Sequence, residues 1–240
     1  MTREELRHLI RAACKATEEQ QVIVVGSQAI LATWKEIAAP ERVTMSNEAD
    51  IAFFVDPEEL KADTVMGVLG LDSQFHETFG IYADGVTIDS PILAPGWVER
   101  LIPLTSDDHD EVFVGWCLES HDLCASKIAA GRPKDHEFVE SLVRAGLIDP
   151  DRVAVLLGQM AVHDMVREDA RRLLSHWKSD GWDEASRHRL EARRADALRD
   201  RKAQCPYPSP PHVEYPPRCG APTHDGPCRQ VRGHCSAHPS

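Results

Sequence analysis

The sequence lacks the features that mark three broad classes of protein. No segment approaches the roughly 18 apolar residues of a membrane span, and the opening stretch, MTREELRHLIRAA, is charged where a targeting peptide would be apolar. Basic residues are in deficit, because 27 Lys and Arg face 39 Asp and Glu, for a formal net charge of −12. That balance argues against a generally basic nucleic-acid surface. We therefore expect a soluble, cytoplasmic protein with no membrane partner.

A paired set of cysteines is the third missing feature. The chain has seven cysteines, an odd number. Cys14, Cys117 and Cys124 each stand alone in a segment with the pattern of a helix or a strand. This arrangement disfavours the disulfide framework of a small secreted protein. We predict that these three thiols are reduced and fill the core.

The chain does contain enough apolar residues for a core. Of its 240 residues 42% are hydrophobic and 28% charged, which suits one medium domain with appendages. Helical spacing over residues 3–18 predicts an amphipathic helix, and the β-branched run over 22–25 predicts a buried central strand. A short helix over 29–33, a strand over 49–55 and a helix from Pro57 to about Leu69 are expected next.

A hairpin is predicted in the middle of the chain. Apolar and polar residues alternate over 75–83 and again over 86–89. The pair Asp84-Gly85 between them is a strong signal for a two-residue turn. Two antiparallel strands are therefore expected after the strand over 49–55.

The second half of the chain has mainly helical patterns. A strand over 112–118 precedes a helix over 121–130, with Ser120 as its cap, and a further helix runs from Pro133 to near Gly146. Helical character continues from Pro150 to about Lys202, and the six prolines of PYPSPPHVEYPP then predict an extended linker. The expected fold class is α/β (α+β), a small mixed sheet with flanking helices and a helical C-terminal region.

Two short segments carry the candidate chemistry. Gly26-Ser27 follows the first strand and opens a helix, where free backbone N–H groups and the positive end of a helix dipole attract phosphate. Glu48 and Asp50 alternate with apolar residues on the next strand, so their side chains project from one face roughly 7 Å apart. Carboxylates are ligands that Mg²⁺ prefers, and a phosphate-binding turn beside them indicates nucleotide chemistry.

This order of features resembles the polymerase-β-type nucleotidyltransferase superfamily: a Gly-Ser turn, a helix, Glu-x-Asp on a strand, and a later carboxylate. The segment HDLCASKIAAGRPKDHEFVESLV is similar to the stretch after the sheet in stand-alone bacterial members related to abortive-infection and toxin–antitoxin enzymes. The resemblance covers about residues 1–150. It implies a nucleotidyltransferase type of sheet, a nucleoside triphosphate as substrate and an antitoxin-like protein as a partner.

The resemblance also implies roles for individual residues. The Gly26-Ser27 turn matches the position that holds the triphosphate, and Glu48 and Asp50 match the carboxylates that hold Mg²⁺. Asp89 is the candidate for a third carboxylate, which completes the metal site and takes the proton of the attacking hydroxyl. Lys127 is expected to contact nucleotide phosphates.

Alternatives stay open for several of these residues. Aligning Asp50-Ile51-Ala52 with the D-x-D of many family members would leave Ala52 in place of a metal ligand, so we prefer the alignment that starts at Glu48. Arg132 and Lys134 either contact phosphates or form a surface ion pair with Asp135 or Glu137. A Gly-Ser turn and an E-x-D strand also occur singly in proteins without this chemistry.

The end of the chain carries a candidate Zn²⁺ site. Three thiols and one imidazole that suit a tetrahedral structural ion are Cys219, Cys228, Cys235 and His238. Alternative ligands are His224 and His234. The segments CGAPTHDGPC and RGHCSAH resemble short zinc-binding tails of bacterial and phage proteins, in which the metal supplies most of the folding free energy. A disordered tail with incidental cysteines is the alternative.

Together these patterns predict an Mg²⁺-dependent nucleotidyltransferase. It would move a nucleoside monophosphate from a nucleoside triphosphate to an acceptor hydroxyl on RNA, a protein or a small molecule. The alternative is a catalytically impaired member of the same fold that acts as a binding or regulatory module. The expected domains are a nucleotidyltransferase-like domain at 1–149, a helical region at 150–203, a Pro-rich linker at 204–217 and a Cys3His tail at 218–240.

Overall fold

The computed structural model describes residues 1–35, 40–108, 111–179, 182–211, 222–223 and 226–227. The chain divides into two compact units, Met1–Pro210 and Pro211–Ser240. In the second unit, Pro222–Thr223 and Gly226–Pro227 pair as two short antiparallel strands. The predicted zinc ligands and both alternative histidines lie outside the described residues. The zinc site therefore stays a prediction.

A mixed five-stranded sheet lies at the centre of the first unit. Its strands are β1 (Gln21–Val24), β2 (Glu48–Ala52), β3 (Tyr82–Gly85), β4 (Ile102–Asp108) and β5 (Glu111–Cys117). Their order across the sheet is β3-β2-β1-β5-β4. β1 lies antiparallel to β2 and parallel to β5, β3 lies parallel to β2, and β4 lies antiparallel to β5. The predicted mixed sheet is confirmed.

Helices flank the sheet and form the C-terminal region, as predicted. They are α1 (Arg3–Ala16), α2 (Ile30–Thr33), α3 (Glu41–Thr44), α4 (Leu60–Leu69), α5 (Gln74–Phe79), α6 (Ser120–Ala130), α7 (Pro133–Arg144), α8 (Pro150–Gln159), α9 (Asp164–Ser179) and α10 (Glu184–Gln204). Single 3-10 turns cover Ser27–Ala29 and Trp97–Arg100. In the described part of the chain, no helix is long and apolar enough to cross a membrane.

The predicted first helix and central strand are confirmed, and both have local causes. Thr2 accepts a hydrogen bond from the Glu5 N–H, and the Glu5 carboxylate accepts one from the Thr2 N–H, which satisfies donors at the start of α1. Apolar residues of α1 and β1 are fully buried against each other and the rest of the core. The three predicted core thiols are buried and form no disulfide bond: Cys14, Cys117 and Cys124.

The hairpin predicted at Asp84-Gly85 is wrong. Residues Gln74–Phe79 form α5, which Ser73 caps through the His76 N–H, and residues 86–89 lie outside any strand. Phe75 and Phe79, which suggested alternation, share one helix face with ring centroids 4.8 Å apart. The chain then returns as β3, parallel to β2.

Three smaller differences concern element boundaries. The helix predicted from Pro57 begins at Leu60. Strand β4 was not predicted, because its second half, Thr105-Ser106-Asp107-Asp108, is polar throughout. Glu119, not Ser120, caps α6, since its carboxylate accepts the His121 N–H at 3.1 Å.

The C-terminal helices belong to the same compact unit as the sheet. α8 packs on α6 and α9, and α10 packs along the edge strand β4 and on α2. Beyond α10, the Tyr207 hydroxyl donates to Gln20 Oε1 at 2.7 Å, so the start of the predicted linker also contacts this unit. The domain boundaries predicted at 149 and 203 fall inside the unit and stay predictions.

Candidate active site

Two neighbouring strands present acidic side chains on one face of the sheet. On β2, Glu48 and Asp50 are half-buried, whereas the residues that alternate with them are fully buried. The parallel register places Asp84 beside Asp50 and Tyr82 beside Glu48. Since neighbouring strands lie about 5 Å apart, three carboxylates share one patch of the sheet. We call Glu48, Asp50 and Asp84 the carboxylate face.

The pKa values of Asp50 and Asp84 are both raised, in part by neighbouring acids. Burial, followed by the negative charges of Glu48 and Asp84, raises the pKa of Asp50 to about 6. The positive charges of Lys127 and Arg132 act in the opposite direction on the same carboxyl. Burial and the charge of Glu48 also raise the pKa of Asp84. A cation bound beside Asp50 would relieve the repulsion that these charges exert on it.

Tyr82 fixes one end of the carboxylate face. Its hydroxyl donates a hydrogen bond to Glu48 Oε2 at 3.1 Å. Burial and this hydrogen bond raise the pKa of Tyr82, so the phenol stays protonated as the donor. The bond orients the Glu48 carboxylate and leaves its remaining lone pairs for a ligand.

Gly26 lies directly against the Asp50 carboxylate. A Cβ built on Gly26 would be 1.5 Å from Asp50 Oδ2, so any side chain there would displace the carboxylate. The Val25 N–H donates to the Asp50 carbonyl at 3.1 Å, which joins the end of β1 to β2. The structure thus brings the Gly-Ser turn and the acidic strand into contact.

The helix after this turn is shorter than its predicted role requires. A 3-10 turn over Ser27–Ala29 leads into α2, which has four residues. So few aligned peptide units give a small macrodipole. Attraction of phosphate to this turn therefore depends on its backbone N–H groups and on nearby cations.

Lys127 and Arg132 supply positive charge that acts on Asp50. The buried carboxylate of Asp135 pairs with both, at 2.7 Å from Lys127 Nζ and 2.6 Å from Arg132 Nε. Lys127 Nζ also lies 4.6 Å from the ring centroid of Phe138. An ammonium has three donors, so the pair with Asp135 leaves others for a phosphate. The ion pair that was the alternative for Arg132 is therefore present.

Asp89, the predicted third carboxylate, lies in an exposed turn after β3. Its predicted role stays untested, but the acid on the neighbouring strand that acts on Asp50 is Asp84. Sequence reasoning missed Asp84 by placing it in a hairpin turn. A signal was available, because Tyr82-Ala83-Asp84 repeats the pattern of Glu48-Ala49-Asp50.

The chemistry of Glu48 and Asp50 suits a metal ion, but the described residues do not complete a metal site by themselves. Among the described residues, no three His, Cys, Asp or Glu side chains are grouped closely enough to hold a metal ion by themselves. Mg²⁺ is commonly held by one or two carboxylates together with substrate phosphates and water. Glu48 and Asp50, which repel each other on one strand face, have the chemistry for that arrangement.

One comparison with known proteins gives a match. A family model described as a nucleotidyltransferase of unknown function (DUF6036) matches residues 4–184. The matched region contains the whole sheet, the carboxylate face, the Gly26-Ser27 turn and Lys127. No curated protein and no solved structure matches the chain.

Proposed function

The chain belongs to this nucleotidyltransferase family, and on that premise we propose that it transfers a nucleoside monophosphate from a nucleoside triphosphate to an acceptor hydroxyl, with Mg²⁺. The observation that carries the proposal is the carboxylate face beside Gly26. Acids that are partly desolvated and repel one another are typical of sites that bind a cation or move a proton. The acceptor is RNA, a protein or a small molecule.

Glu48 and Asp50 would hold Mg²⁺, which when bound neutralises charge on the phosphates and aligns them. Tyr82 keeps Glu48 oriented. Asp84 stands on the adjacent strand, where a base for the acceptor hydroxyl is needed, and its raised pKa makes it a better proton acceptor. We therefore prefer Asp84 to Asp89 for this role.

The turn and the cations that act on Asp50 suit the triphosphate. Gly26 has no side chain, which lets the Asp50 carboxylate lie against the turn, and the Ser27 hydroxyl and N–H follow as donors for a phosphate. Lys127 is held in place by Asp135 and Phe138. The Arg132 side chain is 61% exposed and has further N–H donors for a phosphate.

The position of Ala52 supports the use of Glu48 and Asp50 as the metal pair. Ala52 is 0% exposed, whereas Glu48 and Asp50 are half-buried. A carboxylate at position 52 would be sealed in the core, where an unpaired charge is costly. The D-x-D alignment, which motivated an impaired binding or regulatory module, is therefore disfavoured.

Transfer of radiolabel from α-labelled nucleoside triphosphates tests the proposal. With Mg²⁺ and pooled RNA, protein or small-molecule acceptors, the full chain should label at least one pool. Asp50→Asn should lower the rate by about 10²- to 10³-fold, the scale of losing one group that stabilises transition-state charge. Asp63→Asn, at an exposed position of α4, is the matched control.

Two outcomes would contradict the proposal. An Asp50→Asn rate equal to that of the unaltered chain would remove Asp50 from the chemistry. Calorimetric binding of a triphosphate that needs Mg²⁺, without transfer to any pool, would instead favour the binding or regulatory module.

The finer parts of the proposal rest on sequence resemblance alone. They are membership of the abortive-infection and toxin-like branch, an antitoxin-like protein partner, and a structural Zn²⁺ in the tail. The proposed zinc ligands are Cys219, Cys228, Cys235 and His238.

A further inference from the structure

One hydroxyl of the chain lies among the acids of the candidate active site. Tyr82 is half-buried on β3, and the parallel register pairs it with Glu48 on β2. The Tyr82 hydroxyl lies 3.1 Å from Glu48 Oε2. In the described part of the chain, no other side-chain hydroxyl donates to a carboxylate of the carboxylate face. A group that can accept a nucleotide is therefore already in hydrogen-bond contact with an acid of the site.

The other two acids also lie close to this phenol. Tyr82 and Asp84 are two residues apart on β3, so their side chains project from the same face of the strand, roughly 7 Å apart. The charges of Glu48, Asp84 and Asp50 all act on the Tyr82 hydroxyl. The whole carboxylate face therefore surrounds one side of the phenol.

The Gly26-Ser27 turn reaches the same group of acids. It lies against the Asp50 carboxylate, because a Cβ on Gly26 would be 1.5 Å from Asp50 Oδ2. The Ser27 hydroxyl also belongs to this turn, but among the described contacts it is bonded to no acid that could take its proton. An acceptor hydroxyl needs a base within hydrogen-bond reach, and Tyr82 meets this requirement through Glu48.

We propose that Tyr82 is itself an acceptor of the nucleotide, so that the chain modifies its own active site. This inference rests on the proposed function, because it uses the same nucleoside triphosphate. The Tyr82 oxygen forms a bond to the α-phosphorus, the bond from that phosphorus to the oxygen bridging to the β-phosphate breaks, and pyrophosphate leaves. The phenolic proton passes to Glu48, to which it is already hydrogen-bonded.

The surroundings of Tyr82 make this step depend on bound substrate. Burial, the hydrogen bond to Glu48 and the nearby acids raise the pKa of Tyr82, so the phenol is unreactive by itself. Mg²⁺ bound with the triphosphate would compensate the negative charge of the acids. Modification should stop at one nucleotide per chain, because the phosphodiester uses up the hydroxyl.

Mass spectrometry of the full chain incubated with Mg²⁺ and each nucleoside triphosphate, without other acceptors, tests the proposal. We expect about one nucleotide per chain, on the peptide that contains Tyr82. The chain has three tyrosines, at positions 82, 207 and 215, so the modified residue can be mapped directly. Modification mapped to any other residue would overturn the proposal.

Two phenylalanine variants support the mapping. Tyr82→Phe should abolish the modification, because it removes the acceptor oxygen. Tyr207→Phe is the matched control, since the Tyr207 hydroxyl donates to Gln20, and it should change the rate less than about twofold. Because Tyr82→Phe also frees Glu48, the residue mapped in the unaltered chain decides the assignment. Persistent modification of Tyr82→Phe would contradict it.

A mixing experiment tests whether each chain modifies itself. A tagged Asp50→Asn chain keeps Tyr82 but lacks an acid proposed to hold Mg²⁺. Mixed with the unaltered chain, it should stay unmodified, because Tyr82 is presented to the site of its own chain. The rate constant of the unaltered chain should also stay the same over about a tenfold dilution, as for a reaction within one molecule. Modification of the tagged chain would overturn a self-contained step.

Mn²⁺ provides a measurement that does not depend on turnover. With ring-¹³C tyrosine, Mn²⁺ and a non-hydrolysable triphosphate should broaden the NMR signal of Tyr82 more than that of Tyr207, because unpaired electrons broaden the signals of nearby nuclei. Asp50→Asn should lose this difference. Equal signals from Tyr82 and Tyr207 in the unaltered chain would place the phenol away from the site and overturn the proposal.

The outcomes also separate this proposal from the proposed function. Transfer to an external acceptor with no modification of the chain would overturn Tyr82 as an acceptor and leave the proposed function in place. Modification of neither the chain nor any acceptor pool would overturn both.

Discussion

The buried Glu119 and the half-buried carboxylate face are both acidic, and their surroundings are opposite. Glu119, just before α6, is 1% exposed and fully partnered. It lies 2.9 Å from His121 Nδ1, 2.8 Å from Arg194 Nη2 and 3.7 Å from Arg152 Nη2. On the carboxylate face, by contrast, Asp50 has acids as its nearest charged neighbours on the sheet.

The pKa directions follow from these surroundings. Burial alone would raise the pKa of Glu119, but its interaction with His121 and the charges of Arg194 and Arg152 hold that pKa well below the ordinary range. The pKa of Asp50 is raised instead, because burial and like charges act together. The charge of Glu119 is compensated by partners within the fold. The charge of Asp50 is not compensated on the sheet, which favours the binding of a cation there.

The partners of Glu119 lie on three different helices. His121 Nε2 accepts the Asp149 N–H at 3.0 Å, so Nδ1 carries the ring hydrogen and donates it to Glu119. Arg152 lies on α8 and Arg194 on α10. A single carboxylate therefore holds α6, α8 and α10 together. We infer that Glu119 serves the fold and that the carboxylate face serves the chemistry.

Removing Glu119 should give the largest effect on stability. Glu119→Ala leaves Arg194 and His121 without their buried partner, and breaking such a pair costs about 3–5 kcal/mol. Urea denaturation measures this loss. Glu168→Ala is the control, because Glu168 also has two arginine neighbours, Arg171 and Arg172, but at the surface. The control should lose about 1 kcal/mol or less, and equal losses would show that burial does not distinguish the two acids.

The elements that were predicted correctly have signals that are local in sequence. α1 has a capping box and an apolar stripe, β1 is a β-branched run, and α7 begins at a proline. β3 has only four residues and ends in Asp84-Gly85, so its local pattern favours a turn. Its pairing with β2 depends on the packing of α4 against β3, which no short window of sequence contains.

The same distinction holds in the candidate site. Gly26, Glu48 and Asp50 could be predicted because the spacing of a strand and the chemistry of a turn are local properties. The assignment of Asp84 required the register between β2 and β3. Asp135 could be named as a partner for Arg132, three residues away, but its burial and its pairing with Lys127 required the packing of α6 against α7. Contacts between elements are the part that the sequence alone did not predict.

A second prediction compares the effects of Asp84 and Asp89 on the rate of nucleotide transfer. Asp84→Asn should lower nucleotide transfer by about 10²-fold, because it removes a proton acceptor on the strand beside Asp50. Asp89→Asn should change the rate by less than about threefold, since Asp89 lies in an exposed turn. The measurement is the initial rate of label transfer at saturating Mg²⁺. The reverse order of effects would return the third carboxylate to Asp89.

The third prediction concerns pH and has the smallest effect. The pKa of Asp50 is about 6 in the folded protein against 3.8 ordinarily, so the folded state binds this proton more tightly than the unfolded chain does. A raised carboxyl pKa lowers stability as the pH rises between these two values. Asparagine does not titrate, so at position 50 it would add no such pH dependence to the free energy of unfolding. Asp50→Asn should therefore match the unaltered chain near pH 4 and exceed its unfolding free energy by about 2 kcal/mol at pH 7.

Thermal and urea unfolding across this pH range measure the difference, with Asp63→Asn as a control expected to stay within about 0.5 kcal/mol throughout. Mg²⁺ with a triphosphate should shrink the advantage of Asp50→Asn, because a bound cation stabilises only the chain that keeps the carboxylate. If Asp50→Asn were instead less stable at pH 7, Asp50 would be a satisfied acid like Glu119. The contrast between Glu119 and the carboxylate face would then be wrong, and so would the metal-binding role proposed for Asp50.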